Sequence, residues 1–219
     1  MQQKRVLDII VNLLTGYKNN NVLTDVDSDG EETTLYNCGY LLNQTIRQYK
    51  IKESHIFVSE KALLLWKKIR NDDIRKYTYR NNIIKENDMP VSIDKYKGAT
   101  KEPYEKNYEI KQGKSFVFND VFTDEHVVTV SDIIKELCSL PTCNTESVRD
   151  VLNNRLYICK MLKSEDWSIA KRKKRSSLDY REIIINEYKE AGVLLADFDY
   201  KKAYTELIEE YKEKLKRLQ

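Results

Sequence analysis

Histidine is almost missing from this chain, which has only His55 and His126. Any chemistry that needs an imidazole therefore rests on one of two positions. Cysteine pairs of the C-x-x-C type are missing altogether. The four cysteines, Cys38, Cys138, Cys143 and Cys159, are scattered, which points to reduced thiols rather than a disulfide framework. Cys138 and Cys143 would make half of a zinc site whose other half the chain lacks, so structural zinc is not expected and the thiols read as small hydrophobes. No apolar run is long enough to cross a bilayer. The opening stretch MQQKRVLDIIVNLLTGYK is interrupted by Asp8 and Asn12, with no small-residue cleavage site after it, and the expectation is a cytoplasmic protein. A dominant sign of charge is missing too. With 38 basic against 35 acidic residues the formal net charge is +3, so affinity for nucleic acid has to come from local clusters.

What the chain does have is enough apolar material for a core beneath a polar surface: 41% hydrophobic and 33% charged residues over 219 positions, with a mean hydropathy of −0.65. Val6, Ile9, Ile10, Leu13 and Leu14 share a helical face, with Gly16 as the expected stop. The polar stretch NNNVLTDVDSDGEETT reads as a loop before a second helix near YNCGYLLNQTIRQYK. Asp25, Asp27, Asp29 and Gly30 imitate the start of a calcium-binding loop, but Tyr36 stands where a bidentate Glu is required. The solvated loop is the better reading. HIFVSEKALLLWKKIR reads as an extended piece entering a helix capped by Ser59, with His55 at its entrance as a capping or surface residue. A further helix is expected around NDDIRKYTYRNNIIKEN, followed from Pro90 to about residue 112 by a looser connection rich in Lys and Tyr. Tyrosines alternating with Lys or Arg there suit phosphate contact with base stacking, and equally a coding bias toward both residue types.

From Gly113 on, Phe116, Val117, Phe118, Val121 and Phe122 enclose Asn119 and Asp120, read as two short strands about a turn, and DEHVVTV continues as a strand. Ser131 is the expected cap of a helix ending at Pro141, Thr145 the cap of the next, and Ser164 the cap of a third that follows the strand RLYICKML. DYKKAYTELIEEYKEKLKRLQ places Tyr200, Tyr204, Leu207, Ile208, Tyr211, Leu215 and Leu218 along one helical face. That face is suited to docking on the body or to pairing with a second copy as a homodimer. The expected architecture is α+β: a mainly helical recognition or structural region over 1–112, a region of strands and helices over 113–198, and an amphipathic helix over 199–219.

The third quarter of the chain thus reads as a strand bearing Asp124, Glu125 and His126, an inserted helical pair, a strand preceded by Asn153 and Asn154, and a helix opened by Glu165 and Asp166. Hydrolysis of a phosphodiester requires a deprotonated water in line with the leaving oxygen and positive charge on the phosphoryl group. An imidazole with an ordinary pKa of about 6.5 suits the base, and carboxylates with an amide oxygen suit magnesium or manganese.

Over residues 114 to 175 this order resembles the ββα-metal, or HNH, nucleases. The stretches FNDVFTDEHVV and VRDVLNNRLYICKMLKSEDW are also similar to HNH-like proteins of bacteria and their mobile elements. The resemblance implies a β-hairpin and helix holding a single Mg²⁺ or Mn²⁺, with His126 as general base and Glu125 as a metal ligand for which Asp124 competes. It implies that Asn154, with Asn153 as the near alternative, fixes the loop carrying the base. Where the family places His or Asn on the helix, this chain has Glu165 and Asp166, and zinc-stapling cysteines are absent. The implied activity is endonucleolytic cutting of DNA, with RNA open, in defence or mobile-element biology. The run Lys171, Arg172, Lys173, Lys174 and Arg175 lies on the tail of the implied metal-binding helix, where it would neutralise phosphates. A non-catalytic nucleic-acid binder and a self-associating regulatory protein are the alternatives.

Overall fold

The structure is a computed structural model that describes residues 2–20, 23–26, 32–36, 38–70, 72–77, 83–84, 88–92, 108–112, 116–170 and 179–218. In chain order the elements are α1 (Gln2–Asn20), β1 (Leu23–Val26), β2 (Glu32–Tyr36), α2 (Cys38–Ile46), β3 (Ile56–Val58), α3 (Glu60–Ile69), β4 (Ile83–Ile84), β5 (Asp88–Ser92) and β6 (Tyr108–Gln112). Then come β7 (Phe116–Val117), α4 (Phe118–Val121), β8 (Phe122–His126), α5 (Val130–Ser139), α6 (Thr145–Arg155), β9 (Ile158–Leu162), α7 (Lys163–Ala170), α8 (Tyr180–Glu182, running into a π-type turn over Ile183–Tyr188) and α9 (Tyr200–Leu218). The α+β expectation holds. The chain divides into two compact units, residues 1–52 with 128–156 and residues 53–127 with 157–219. The inserted helices α5 and α6 therefore belong with α1 and α2, although they interrupt the strands of the second unit.

In the first unit α1 packs on α2, α5 and α6. The innermost residues of α1 are Leu7, Ile10 and Leu14, while Ile9 is 49% exposed, so the buried stripe is rotated from the expected one. Gly16 does not end the helix, which runs on to Asn20; a glycine inside a helix costs about 1 kcal/mol and does not by itself break it. The caps of α5 and α6 each lie upstream of the expected residue. Thr129 Oγ1 accepts from the Asp132 N–H at 3.1 Å, and Asn144 Oδ1 accepts from the N–H groups of Glu146 and Ser147. The polar stretch after α1 is not wholly loop. Its flanks pair as an antiparallel ladder in which Asp25 faces Thr33, while Asp27, Asp29 and Gly30 lie outside the described residues.

The second unit is built on a three-stranded sheet of order β3-β9-β8, with β3 parallel and β8 antiparallel to β9. The far edge of β3 is covered by residues 194–196, where the Ala196 N–H donates to Val58 O and the Glu60 N–H to Leu194 O. Side chains alternate across a strand, so Val58, Lys160, Leu162, Phe122 and Asp124 share one face and Phe57, Cys159, Met161 and Glu125 the other. The first face carries the core, where Phe122 and Leu162 meet Ala62, Leu65 and Trp66 of α3 together with Phe118 and Val121. The Trp66 indole N–H reaches Asp72 O at 3.0 Å, which satisfies the one polar atom such a ring brings inside.

Several local expectations change here. Of the helix expected over residues 71–87, the described residues show one 3-10 turn, Ile74–Lys76, and the short strand β4, paired with β7, while residues 71, 78–82 and 85–87 lie outside the described residues. Pro90 lies inside β5, opposite Ile110 of β6, which a two-stranded ribbon tolerates because its outer edge needs no N–H donor. Asn119 and Asp120 belong to the helical turn α4 rather than a tight turn. The strand expected through residue 130 ends at His126. The helix containing the π-type turn is stopped by Gly192, whose φ of 74° is readily adopted only by glycine. The Gly192 N–H then reaches Lys189 O and the Val193 N–H reaches Tyr188 O, the paired closure of a left-handed helix end.

Candidate functional site

β8 and β9 form an antiparallel pair, and α7 follows β9 directly and packs on both strands. The strand, helical insertion, strand and helix order read from the sequence is thus present. The register places Phe122 opposite Leu162, Asp124 opposite Lys160, Glu125 opposite Cys159 and His126 opposite Ile158.

The main charged contact of this unit is one that the motif reading did not include. Lys160 lies in the middle of β9 with its side chain 3% exposed, and its Nζ donates to Asp124 Oδ1 at 2.7 Å across the strands. It also donates to the Tyr77 carbonyl oxygen and lies 5.6 Å from the centre of the Phe118 ring. A buried ammonium needs this kind of compensation, because desolvation costs several kcal/mol per ion and is offset only by close opposite charge and hydrogen bonds. The signal was present in LYICKML, where one lysine interrupts an otherwise apolar strand. The partner was not, since Asp124 is remote in sequence.

Glu165, assigned to the metal by the motif reading, has a different set of neighbours. It is 4% exposed. Its Oε2 accepts from the Ser59 hydroxyl at 2.6 Å and from the Leu162 N–H at 3.0 Å. As the third residue of α7 reaching back to the residue before the helix, it closes the helix start as the acid of a capping box does. Ser59, which caps α3 by accepting from the Ala62 N–H at 3.1 Å, joins the same oxygen, so one carboxylate ties the starts of α3 and α7 together. Ser164, expected as the cap, lies inside the first turn of α7. Oε1 of Glu165 is buried without a hydrogen-bond partner. Burial pushes this carboxyl above its ordinary value, against the lowering effect of the Ser59 and Leu162 hydrogen bonds and the Lys61 charge. Cys159 shares this environment. Burial, then the charges of Glu165, Glu125 and Asp124, push its thiol well up, opposed by Lys160, so it is an inert core thiol.

His126 stands at the other end of the strand pair. It is 9% exposed and level with Ile158, whereas Glu165 is bonded to the N–H of Leu162, four residues along β9. At about 3.3 Å per residue that is about 13 Å along the strands, against about 2.1 Å from an ion to each magnesium ligand. Asp124 and Glu125 point to opposite faces. Asp166 is half-buried in the first turn of α7. Asn154 is an exposed residue of α6 in the first unit, within a helix rather than in the loop before β9, and Asn153 beside it accepts from the Tyr49 hydroxyl at 3.2 Å. Among the described residues no group of three or more His, Cys, Asp or Glu is arranged to hold a metal ion. With Asp124 neutralised by Lys160 and Glu165 used as a cap, these residues as they stand do not fit a single Mg²⁺ or Mn²⁺. Lys171, Arg172, Lys173, Lys174 and Arg175 lie outside the described residues.

His55 is part of a stacked aromatic column. Its ring lies 4.2 Å from that of Tyr157, which stacks at 3.9 Å on Tyr180, and Phe57 packs against Tyr157, Tyr180 and Phe198. The Tyr157 phenol is pushed up to about 12, chiefly by burial and then by Tyr180.

No family model, curated protein or solved structure matches the chain. No helix among the described residues is long and apolar enough to cross a membrane.

Proposed function

We propose that the chain is an endonuclease of the ββα type acting on the phosphodiester bonds of nucleic acid, DNA before RNA, in a defence or mobile-element setting. The observation that carries this reading is the antiparallel β8–β9 pair followed directly by α7, with Asp124, Glu125 and His126 at the end of the first strand. In this reading His126 takes the proton of the attacking water. The basic run 171–175 holds the phosphate backbone through charge, an interaction that weakens with salt. No role is assigned to a bound ion, because the described residues form no ligand set for one.

The experiment is plasmid cleavage by the purified chain in Mg²⁺, in Mn²⁺ and in EDTA, beside His126→Ala. Nicking that falls by at least about a hundredfold in the variant supports the reading, a general base being worth roughly 10²–10⁴ in rate, and the EDTA arm decides whether an ion takes part. Cutting that survives His126→Ala refutes the assigned base. The Lys160–Asp124 pair favours a second reading, a nucleic-acid-binding protein without hydrolytic activity, because it commits one of the candidate ligands to a protein partner. Salt-sensitive binding without cutting under any of the three conditions would decide for it.

A further inference from the structure

The C-terminal helix α9 is docked by only part of its length. Ala203 and Leu207 are buried, and Glu210 makes a two-pronged pair with Arg181 at 2.8 Å on each prong. The Tyr211 hydroxyl meets Glu182. From Ile208 to Leu218 every residue is exposed. About three helical turns therefore extend past the buried contacts, a length that is marginal in water on its own.

That segment carries large apolar side chains on one stripe: Tyr204 (58% exposed), Ile208 (36%), Tyr211 (51%), Leu215 (61%) and Leu218 (85%). They recur at intervals of four, three, four and three residues, the alternation of a coiled-coil seam rather than of a face packed on a globular core. Scattered exposed apolar residues are ordinary, whereas a contiguous stripe about 20 Å long marks an interaction surface. If Tyr204, Tyr211 and Leu218 are the d positions and Ile208 and Leu215 the a positions, the flanking e and g positions in the free segment are Lys212 and Lys214. Both are lysines. Lys214 leans over the seam, its Nζ 5.5 Å from the centre of the Tyr211 ring.

The flanking charges select the occupant. In a pair of identical helices, whichever way they run, the seam of each copy would be bordered by these same lysines, and like charges at flanking positions oppose pairing. We propose that the exposed stripe of α9 is a docking seam for an amphipathic helix of a different protein, one whose apolar a and d residues are bordered by Glu or Asp. The interaction is a helix laid along a helix, with Ile208, Tyr211, Leu215 and Leu218 as anchors and Lys212 and Lys214 as the selective rim. It is independent of the hydrolytic reading and survives its failure.

The test uses the full chain and two labelled synthetic peptides of about four heptads, with leucine at a and d and either Glu or Lys at every e and g. Fluorescence anisotropy at low salt should show binding of the Glu peptide, weakened by salt, and a preference over the Lys peptide of about tenfold or more. Lys212→Glu with Lys214→Glu should reverse the preference. Leu215→Asp, at an exposed position where circular dichroism should show the fold unchanged, should weaken binding of the Glu peptide by at least about tenfold. Binding that ignores flank charge, no binding to either peptide, or binding unaltered by Leu215→Asp each overturns the proposal. A dimer of the chain alone in sedimentation equilibrium at micromolar concentration, lost in Leu215→Asp, also overturns it and gives the seam to a second copy.

Discussion

Replacing Glu165 by alanine removes a carboxylate oxygen that serves two donors inside the second unit, the Ser59 hydroxyl and the Leu162 N–H. The N–H cannot find another acceptor without unwinding the start of α7, and the hydroxyl loses its acceptor. A buried donor left without a partner costs about 1–3 kcal/mol. Two such losses, reduced by relief of the desolvation of the carboxyl itself, predict a loss of about 2–4 kcal/mol. Glu165→Gln keeps an acceptor for both donors but places an amide N–H₂ where the unpartnered Oε1 sits, and is expected to cost about 1–2 kcal/mol. The two variants also differ from wild type in pH dependence. Burial raises the Glu165 carboxyl above its ordinary 4.5, so the folded state holds this proton more tightly than the unfolded one. The stability this contributes is complete below about pH 4.5 and is lost as pH rises through the folded value. Glutamine has no such proton. The stability of Glu165→Gln relative to wild type should therefore improve as pH rises through that window. Urea unfolding followed by tryptophan fluorescence between pH 4 and 8 measures both effects. A Glu165→Ala variant within about 0.5 kcal/mol of wild type would refute the capping assignment, and a Glu165→Gln difference that is flat or slopes the other way would refute the dominance of burial over the two hydrogen bonds.

Two further outcomes follow from the same sheet. Lys160→Met strands the largely buried Asp124 carboxylate and should cost about 3–5 kcal/mol in urea unfolding, while Lys160→Met with Asp124→Val should recover most of that loss, because a buried pair is replaced more cheaply than it is broken; equal losses in the single and double variants would show that the pair is not coupled. The Tyr157 phenol, pushed up to about 12 by burial foremost, should appear in the 295 nm titration difference between wild type and Tyr157→Phe as a step near that value, and the stability tied to its proton should fall as pH climbs from about 10 through about 12. A step near 10 would show that the aromatic column is open to water.

The sequence by itself determined what depends on near neighbours. The amphipathic course of α9, the cap at Ser59, the strands β8 and β9 and the helix after them, and the mixed α+β class all follow from local side-chain chemistry and periodicity. Caps were legible to within a residue or two, since Thr129 competes with Ser131 and Asn144 with Thr145 as oxygen acceptors of similar strength. The charged groups at FTDEHVV were visible as candidates, and so was the odd lysine in LYICKML. Only the tertiary structure decided their partners. Asp124 meets Lys160 because the antiparallel register sets them opposite each other, and a slip of one strand by one residue would have put them on opposite faces. Glu165 meets Ser59 because β3 and β9 run parallel, bringing the starts of α3 and α7 side by side. Residues 128–156 join the N-terminal helices because α5 packs on α1 and α2 and α6 packs on α1. The physical reason is the same in each case: propensity and periodicity act within a few residues, whereas the pairing of a buried charge or an apolar face is settled by whichever distant group lies close enough to offset its removal from water.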